Sequence, residues 1–148
     1  MPNACPVSDN DLGRFVSAQD RHGIYARALE ELKAGRKQSH WMWFVFPQIA
    51  GLGQSETARF YAIENLAEAP AFLAHPTLGG RLQECTGVVS AWAGQRSATD
   101  IFGPLDAQKF HSCMTLFDVA GSLPCFAEAM ELFYCGKRDE RTLALLAG

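Results

Sequence analysis

The chain has 148 residues, 48% of them hydrophobic and 20% charged, and a formal net charge of −3. These values are typical of a globular protein that buries a core without disulfides or structural metals. The small acidic excess argues against a nucleic-acid polymer as partner, because such binders carry a basic excess.

The spacing of apolar residues predicts a single helical domain over residues 1–148. A loose lead-in with two prolines, residues 1–7, is expected first. In chain order, the predicted helices then span residues 8–20, 22–34, 40–46, 55–73 with a break near residue 65, 78–92, 106–120, 123–134 and 139–146, with a short turn at 97–103. The expected fold class is therefore all-α, an irregular domain of seven or eight short helices around a buried aromatic helix.

That aromatic helix is the segment 40–46, whose composition by itself favours a strand. We predict a helix, because no other segment offers a partner strand and a helix satisfies its own backbone hydrogen bonds. Ser39 is the expected N-cap, and Pro47 is expected to end the helix.

Residues at the ends of the other helices support their boundaries. Gly35 is expected to adopt the left-handed conformation that ends a helix. Ser55, Ser97 and Asp139 are expected to cap the helices that follow them. Asp100 completes a capping arrangement with Ser97.

The numbers and spacing of the cysteines and histidines limit which disulfides and metal sites the chain can form. The five cysteines are an odd number without a Cys-x-x-Cys pair, which favours reduced thiols in a cytoplasmic protein. His22, His75 and His111 show no metal-ligand spacing, so we predict no metal site, and no cofactor motif is present.

The longest apolar run, Trp41–Phe46, is far shorter than the roughly 20 residues of a membrane span, so no membrane partner is expected.

Several motifs resemble a bacterial and fungal family of unknown function that is sometimes mislabelled calpastatin. The resemblance covers nearly the whole chain after Asp9, and its motifs lie within residues 36–48, 51–53, 75–82, 101–109, 112–117 and 133–143. The resemblance implies an all-α single domain and no established activity. The chain departs from the family pattern at Cys113, where a second serine is usual.

His40 and the two tryptophans that follow it are candidates for chemistry. His40 can act as a general acid or base near neutral pH, or it can be a hydrogen-bonded first-turn residue, which we favour. Trp41 and Trp43 face different sides of the predicted helix. Both fit a core, and either can instead stack on a planar ring in a pocket.

The loop after the aromatic helix contains Gln48, Gly51, Gly53 and Ser55. A glycine-rich loop that enters a helix can present backbone N–H groups to an anion. The spacing matches neither the phosphate loop nor the dinucleotide fingerprint. Glycines required by a tight turn are the favoured interpretation.

Lys109, Ser112 and Cys113 lie one turn apart on one predicted helix. Lys109 and Ser112 can together bind a phosphate or carboxylate. Alternatively, Lys109 pairs with Asp106, one turn earlier. A lysine can activate a nearby thiol, but the serine that the family usually has at position 113 argues against a cysteine nucleophile.

We therefore predict a pocket where the aromatic stretch, the glycine loop and the helix Lys109–Thr115 meet. Its ligand is expected to be anionic and to carry a planar ring, as a nucleotide or an ADP-ribose-like metabolite does. If the pocket is catalytic, His40 is the expected base of a hydrolysis. The predicted ligand-binding residues are Trp43, Gln48, Gly51, Gly53, Lys109, Ser112 and Thr115.

The alternative is a non-enzymatic interaction module, such as a homodimer. The same motifs would then specify packing around the aromatic helix, with an apolar surface patch as the interface. A concave cleft lined by His40, Lys109 and Ser112 favours the pocket, whereas burial of these residues favours the module.

Overall fold

Helices make up the regular structure of the computed structural model, which describes residues 9–147. They are α1 (Asp9–Asp20), α2 (Ile24–Lys33), α3 (Met42–Val45), α4 (Glu56–Phe60), α5 (Glu68–Ala74), α6 (Leu78–Ser90), α7 (Ala98–Phe102), α8 (Pro104–Ala120), α9 (Pro124–Tyr134) and α10 (Glu140–Ala147), with a 3₁₀ turn at Arg21–Gly23. No strand occurs in this part of the chain, which confirms the all-α class. The predicted lead-in over residues 1–7 lies outside the described residues.

Helix α8 lies at the centre of the fold. It is 17 residues long and contacts α5, α7, α9 and α10. Its side chains are buried on several sides, including Phe110, Met114 and Phe117. A helix that is apolar on more than one side belongs inside a domain, as its sequence predicts.

The aromatic segment supplies the side chains that pack on α8. Trp41 and Phe46 are completely buried on either side of the single turn α3. The Phe46 ring meets the edges of Phe102 and Phe110 with centroids 5.8 and 5.1 Å apart. Such edge-to-face pairs are a favoured aromatic geometry. The predicted buried aromatic helix is therefore present, but it is shorter than predicted.

Ser39 does not cap α3, so that prediction is wrong. The residue at the N-cap position is Trp41. Ser39 instead donates its hydroxyl hydrogen bond to the Glu31 carboxylate, with the two oxygens 2.6 Å apart. The same carboxylate accepts the Trp41 indole N–H at 2.9 Å. A partner eight residues earlier in the chain overrides the local capping signal.

The capping residues predicted at the other helix ends are present in the structure. Gly35 has a positive φ of 75° directly after α2. Ser55 accepts a hydrogen bond from the third residue of its helix. Ser97 and Asp100 form a complete capping box. Asp139 accepts a hydrogen bond from the Thr142 N–H at 3.1 Å and so caps α10.

Two predicted boundaries are wrong. Helix α8 begins at Pro104 and not at Asp106, because proline is well suited to the first position of a helix. Helix α4 ends at Phe60, so the predicted helix does not continue to Ile63. Ile63 instead exchanges backbone hydrogen bonds with the 48–50 segment, as an isolated parallel bridge to Ile49.

Candidate functional site

A cleft lies where the loop after α3 meets α8 and the start of α10. We call it the Trp43 cleft, and its volume is about 120 Å³. The residues that line it are Trp43, Gln48, Leu52, Gly53, Leu105, Gln108, Lys109, Ser112, Asp139 and Arg141. The cleft thus combines residues from the middle of the chain with residues close to its C-terminal end.

Helix α8 forms one wall of the cleft. Leu105, Gln108, Lys109 and Ser112 are separated by three, four and seven positions, which places them on one face of a helix. Leu105 is 73% exposed at the rim, whereas Ser112 is only 5% exposed. From the rim inward, this face therefore presents the apolar Leu105, the cation Lys109 and the buried hydroxyl of Ser112.

The loop 48–53 forms the opposite wall and depends on glycine. A Cβ atom on Gly53 would lie 2.5 Å from the Ala58 Cβ and 3.8 Å from the Trp43 ring, so only glycine fits there without a shift. Gly51 has a φ of 107° and packs against Leu145, and it does not line the cleft. Both glycines are explained by backbone conformation and close packing, the interpretation that the sequence favours.

Lys109 is held over the Trp43 ring by Asp106. Its Nζ lies 4.6 Å from the centre of the Trp43 ring and 3.1 Å from Asp106 Oδ1. The other carboxylate oxygen of Asp106 is 2.8 Å from the Nζ of Lys37. Two lysines thus share one carboxylate, and a positive charge is left in excess beside the cleft.

The pKa of Asp106 reflects this arrangement. Burial by itself would raise it, but hydrogen bonds from Lys37 and Lys109 outweigh burial and lower the pKa below its ordinary value. Asp106 is therefore ionised at neutral pH. The predicted pairing of Lys109 with Asp106 is present, and it fixes the lysine beside the tryptophan without neutralising the cluster.

Asp139 ties the floor of the cleft to α10. Its Oδ2 accepts hydrogen bonds from the Ser112 hydroxyl at 3.0 Å and the Thr142 hydroxyl at 2.6 Å. Its backbone N–H donates to the Thr115 hydroxyl at 2.9 Å. These bonds fix the start of α10, which carries Arg141 to the mouth of the cleft.

Arg141 is the second cation of the cleft. Its guanidinium donates a long hydrogen bond of 3.4 Å to the backbone oxygen of Leu52, across the cleft mouth. A guanidinium has five N–H donors, so most of its donors are not used by this contact.

The structure brings together most, but not all, of the residues that the sequence singles out. Five of them line the cleft, namely Trp43, Gln48, Gly53, Lys109 and Ser112. Thr115 is completely buried one turn beyond Ser112, where it supports Asp139. His40 is exposed and is not among the residues that line the cleft, so its role as a base stays a prediction that the cleft does not support.

A cysteine nucleophile is not supported at position 113. Cys113 is completely buried, and burial raises the pKa of its thiol well above the ordinary value. The thiol therefore stays protonated at neutral pH, and a protonated thiol is a poor nucleophile.

The described part of the chain offers neither a cluster of metal ligands nor a membrane-spanning helix. Within residues 9–147, no group of three or more His, Cys, Asp or Glu side chains is placed to bind a metal ion. None of the helices in this range has the length and apolar character needed to cross a membrane.

Sequence reasoning missed the contribution of α10. Asp139 stands out in the sequence only as a helix cap and as a member of a family motif, and nothing in the sequence singles out Arg141. Leu105 and Gln108 could have been found, because they lie on the same helical face as Lys109 and Ser112. Arg141 could not, because its position depends on how α10 packs against α8.

Comparisons with known proteins place this architecture in a family. Residues 9–146 match the family described as "Protein of unknown function (DUF1810)". A crystal structure of the conserved hypothetical protein Rv1873 from Mycobacterium tuberculosis is similar over 95% of this chain and 99% of that chain, with a TM-score of 0.90 and 49% sequence identity. No curated protein matches the chain. The resemblance to a family of unknown function is confirmed, and the chain belongs to the DUF1810 family.

Proposed function

We propose that this protein binds a small anionic molecule with a planar group in the Trp43 cleft. The observation that carries the proposal is the convergence of Trp43, Lys109 and Arg141 from three separate parts of the chain. An aromatic ring, a lysine and an arginine around one concavity are the groups that such a ligand requires.

The charge at the cleft supports an anion. Lys109 and Lys37 share the single carboxylate of Asp106, so one positive charge is not compensated within that cluster. Asp139 is the other carboxylate of the cleft, and it accepts hydrogen bonds from Ser112 and Thr142. The charged donors that remain for a ligand therefore belong to Lys109 and Arg141.

The walls and size of the cleft support a planar group. Trp43, Leu52 and Leu105 supply apolar surface, and Gln48 and Gln108 supply hydrogen-bonding groups beside it. A volume of about 120 Å³ is well below the roughly 300–1,000 Å³ of pockets for drug-sized ligands. The cleft therefore accommodates a single ring with an anionic group beside it, not a whole ADP-ribose-like molecule.

Calorimetric titration with phenyl phosphate, inorganic phosphate and phenol tests this proposal. We expect phenyl phosphate to bind more tightly than either of its halves. Changing Lys109→Gln should weaken its binding by about tenfold or more, because a hydrogen bond to a charged group contributes about 1.5–3 kcal/mol.

Lys33→Gln is the matched control, because Lys33 is 55% exposed on α2 and pairs only loosely with Glu30, at 4.0 Å. It should leave the affinity unchanged. The proposal fails if phenyl phosphate does not bind, or if the two variants weaken its binding equally.

The proposal is limited to binding. The Ser112 hydroxyl is hydrogen-bonded to Asp139 and to the backbone oxygen of Gln108, and it is nearly buried. Hydrolysis with His40 as base, homodimerisation and a cytoplasmic location stay predictions. The large exposed apolar side chains that the structure describes lie on α4, α8, α9 and α10 and before α5, which does not single out one face as an interface.

A further inference from the structure

A second, wider concavity adjoins the Trp43 cleft. It is an open basin of about 700 Å³, lined by His111, Leu143 and the continuous segment 137–141. We call it the His111 basin. Asp139 and Arg141 line both concavities, so the cleft and the basin are neighbours at the start of α10.

Three cations and two carboxylates line this basin. Lys137, Arg138 and Arg141 line it, and Arg138 is bound to the Asp118 carboxylate through Nε at 2.9 Å. The Lys137 ammonium group is exposed, and it makes no ion pair with the residues that the structure describes. It is therefore available to a ligand that reaches the basin.

The carboxylates of the basin are not equivalent. The Oδ2 atom of Asp139 accepts hydrogen bonds from Ser112 and Thr142. Glu140 is exposed in the first turn of α10 and opposes the binding of an anion there. Lys137 and Glu140 thus act in opposite directions on a negatively charged ligand, and both are surface residues outside the Trp43 cleft.

His111 makes the basin wall rigid. Its ring stacks on Tyr134 with centroids 4.0 Å apart and planes only 4° from parallel. Its Nε2 lies 2.6 Å from the backbone oxygen of Lys137 and carries the hydrogen, since a carbonyl oxygen only accepts. This bond fixes the turn that presents the Lys137 side chain.

We propose that the ligand is a nucleoside polyphosphate, with its base in the Trp43 cleft and its phosphate chain extending past Arg141 into the His111 basin. This inference rests on the proposed function and names its ligand class. The cleft takes one planar ring, Arg141 stands at the junction, and the basin offers the space and the cations that a chain of phosphates requires.

The test is a calorimetric titration with AMP, ADP and ATP without divalent cations, on the wild type and on the variants Lys137→Gln and Glu140→Gln. Each added phosphate should raise the affinity of the wild type by about two- to fivefold, the size of an exposed ion pair. In Lys137→Gln, most of this increase from AMP to ATP should be lost, whereas the affinity for AMP should stay the same. Glu140→Gln should increase the gain.

The outcomes separate the two proposals. Equal affinities for AMP, ADP and ATP would overturn the polyphosphate inference and leave the cleft proposal standing. Binding of phenyl phosphate without binding of AMP, ADP or ATP would also overturn the polyphosphate inference and leave the cleft proposal standing. If phenyl phosphate does not bind, the proposed function itself is wrong.

Discussion

Glu31 shows how one side chain positions the aromatic core. Its carboxylate accepts hydrogen bonds from the backbone N–H groups of Gln38 and Ser39, from the Ser39 hydroxyl and from the Trp41 indole, at 2.6–3.0 Å. Burial by itself would raise the pKa of Glu31, but these four bonds outweigh it and lower the pKa below the ordinary value. The ionised carboxylate therefore fixes the chain that enters the core.

We predict that Glu31→Gln lowers the free energy of unfolding by about 2–3 kcal/mol at pH 7, since the amide loses the charge and turns an N–H₂ group toward donors. Urea denaturation measures this change. Glu30→Gln is the control, because Glu30 is 77% exposed with one loose pair to Lys33, and it should change the free energy by less than about 1 kcal/mol.

The wild type and Glu31→Gln should also differ in how their free energies of unfolding depend on pH. A carboxyl with a lowered pKa in the folded state stabilises the fold above its unfolded pKa, and this stabilisation is lost as the pH falls through the folded pKa. The gap in stability between wild type and Glu31→Gln should therefore narrow from pH 6 toward pH 3. A gap that stays constant over this range would show that the Glu31 charge does not contribute.

Helix α10 is the element on which the Trp43 cleft depends. Asp139 caps it and also binds Ser112 on α8, so one carboxylate holds the end of α10 and joins it to the α8 wall. We predict that Asp139→Ala lowers the free energy of unfolding by about 2 kcal/mol and speeds amide hydrogen exchange in α10 more than in α8. Exchange measured by NMR gives the result helix by helix.

Two further variants make this prediction specific. Asp139→Asn should keep most of the protection of the α10 amides from hydrogen exchange, because asparagine is a good N-cap. Ser97→Ala removes the cap of α7 and should leave exchange in α10 unchanged. Equal exchange in α10 for the wild type and Asp139→Ala would contradict the role given to Asp139.

At the same scale, the local signals in the sequence predicted most helix ends. Ser55, Ser97 and Asp139 cap helices as expected, because each side chain bonds within its own turn. The signal at Ser39 failed because Glu31, eight residues away, accepts its hydroxyl hydrogen bond. Local pattern reasoning does not detect a competing partner of that kind.

At the scale of the whole molecule, the cleft combines what the sequence could and could not predict. Trp43, Gln48, Gly53, Lys109 and Ser112 all lie in motifs that sequence reasoning singled out. Arg141 joins them only because α10 packs on α8, a tertiary contact without a sequence pattern of its own. The result is a locally cationic cleft in a chain whose net charge is −3.

The three tryptophans allow a direct test of this account by NMR. The indole N–H of Trp41 donates to Glu31, and that of Trp92 donates to the backbone oxygen of Leu32, so both are engaged away from the cleft. Trp43 alone of the three lines the cleft. A Trp43→Phe variant identifies its signal.

The measurement is a titration of the ¹⁵N-labelled protein with phenyl phosphate, followed through the three indole N–H signals. We predict that the Trp43 signal moves and saturates while the Trp41 and Trp92 signals stay in place, and that Lys109→Gln shifts the titration to higher concentration. A Trp43 signal that stays still at millimolar phenyl phosphate, or three signals that move together, would contradict binding in the Trp43 cleft.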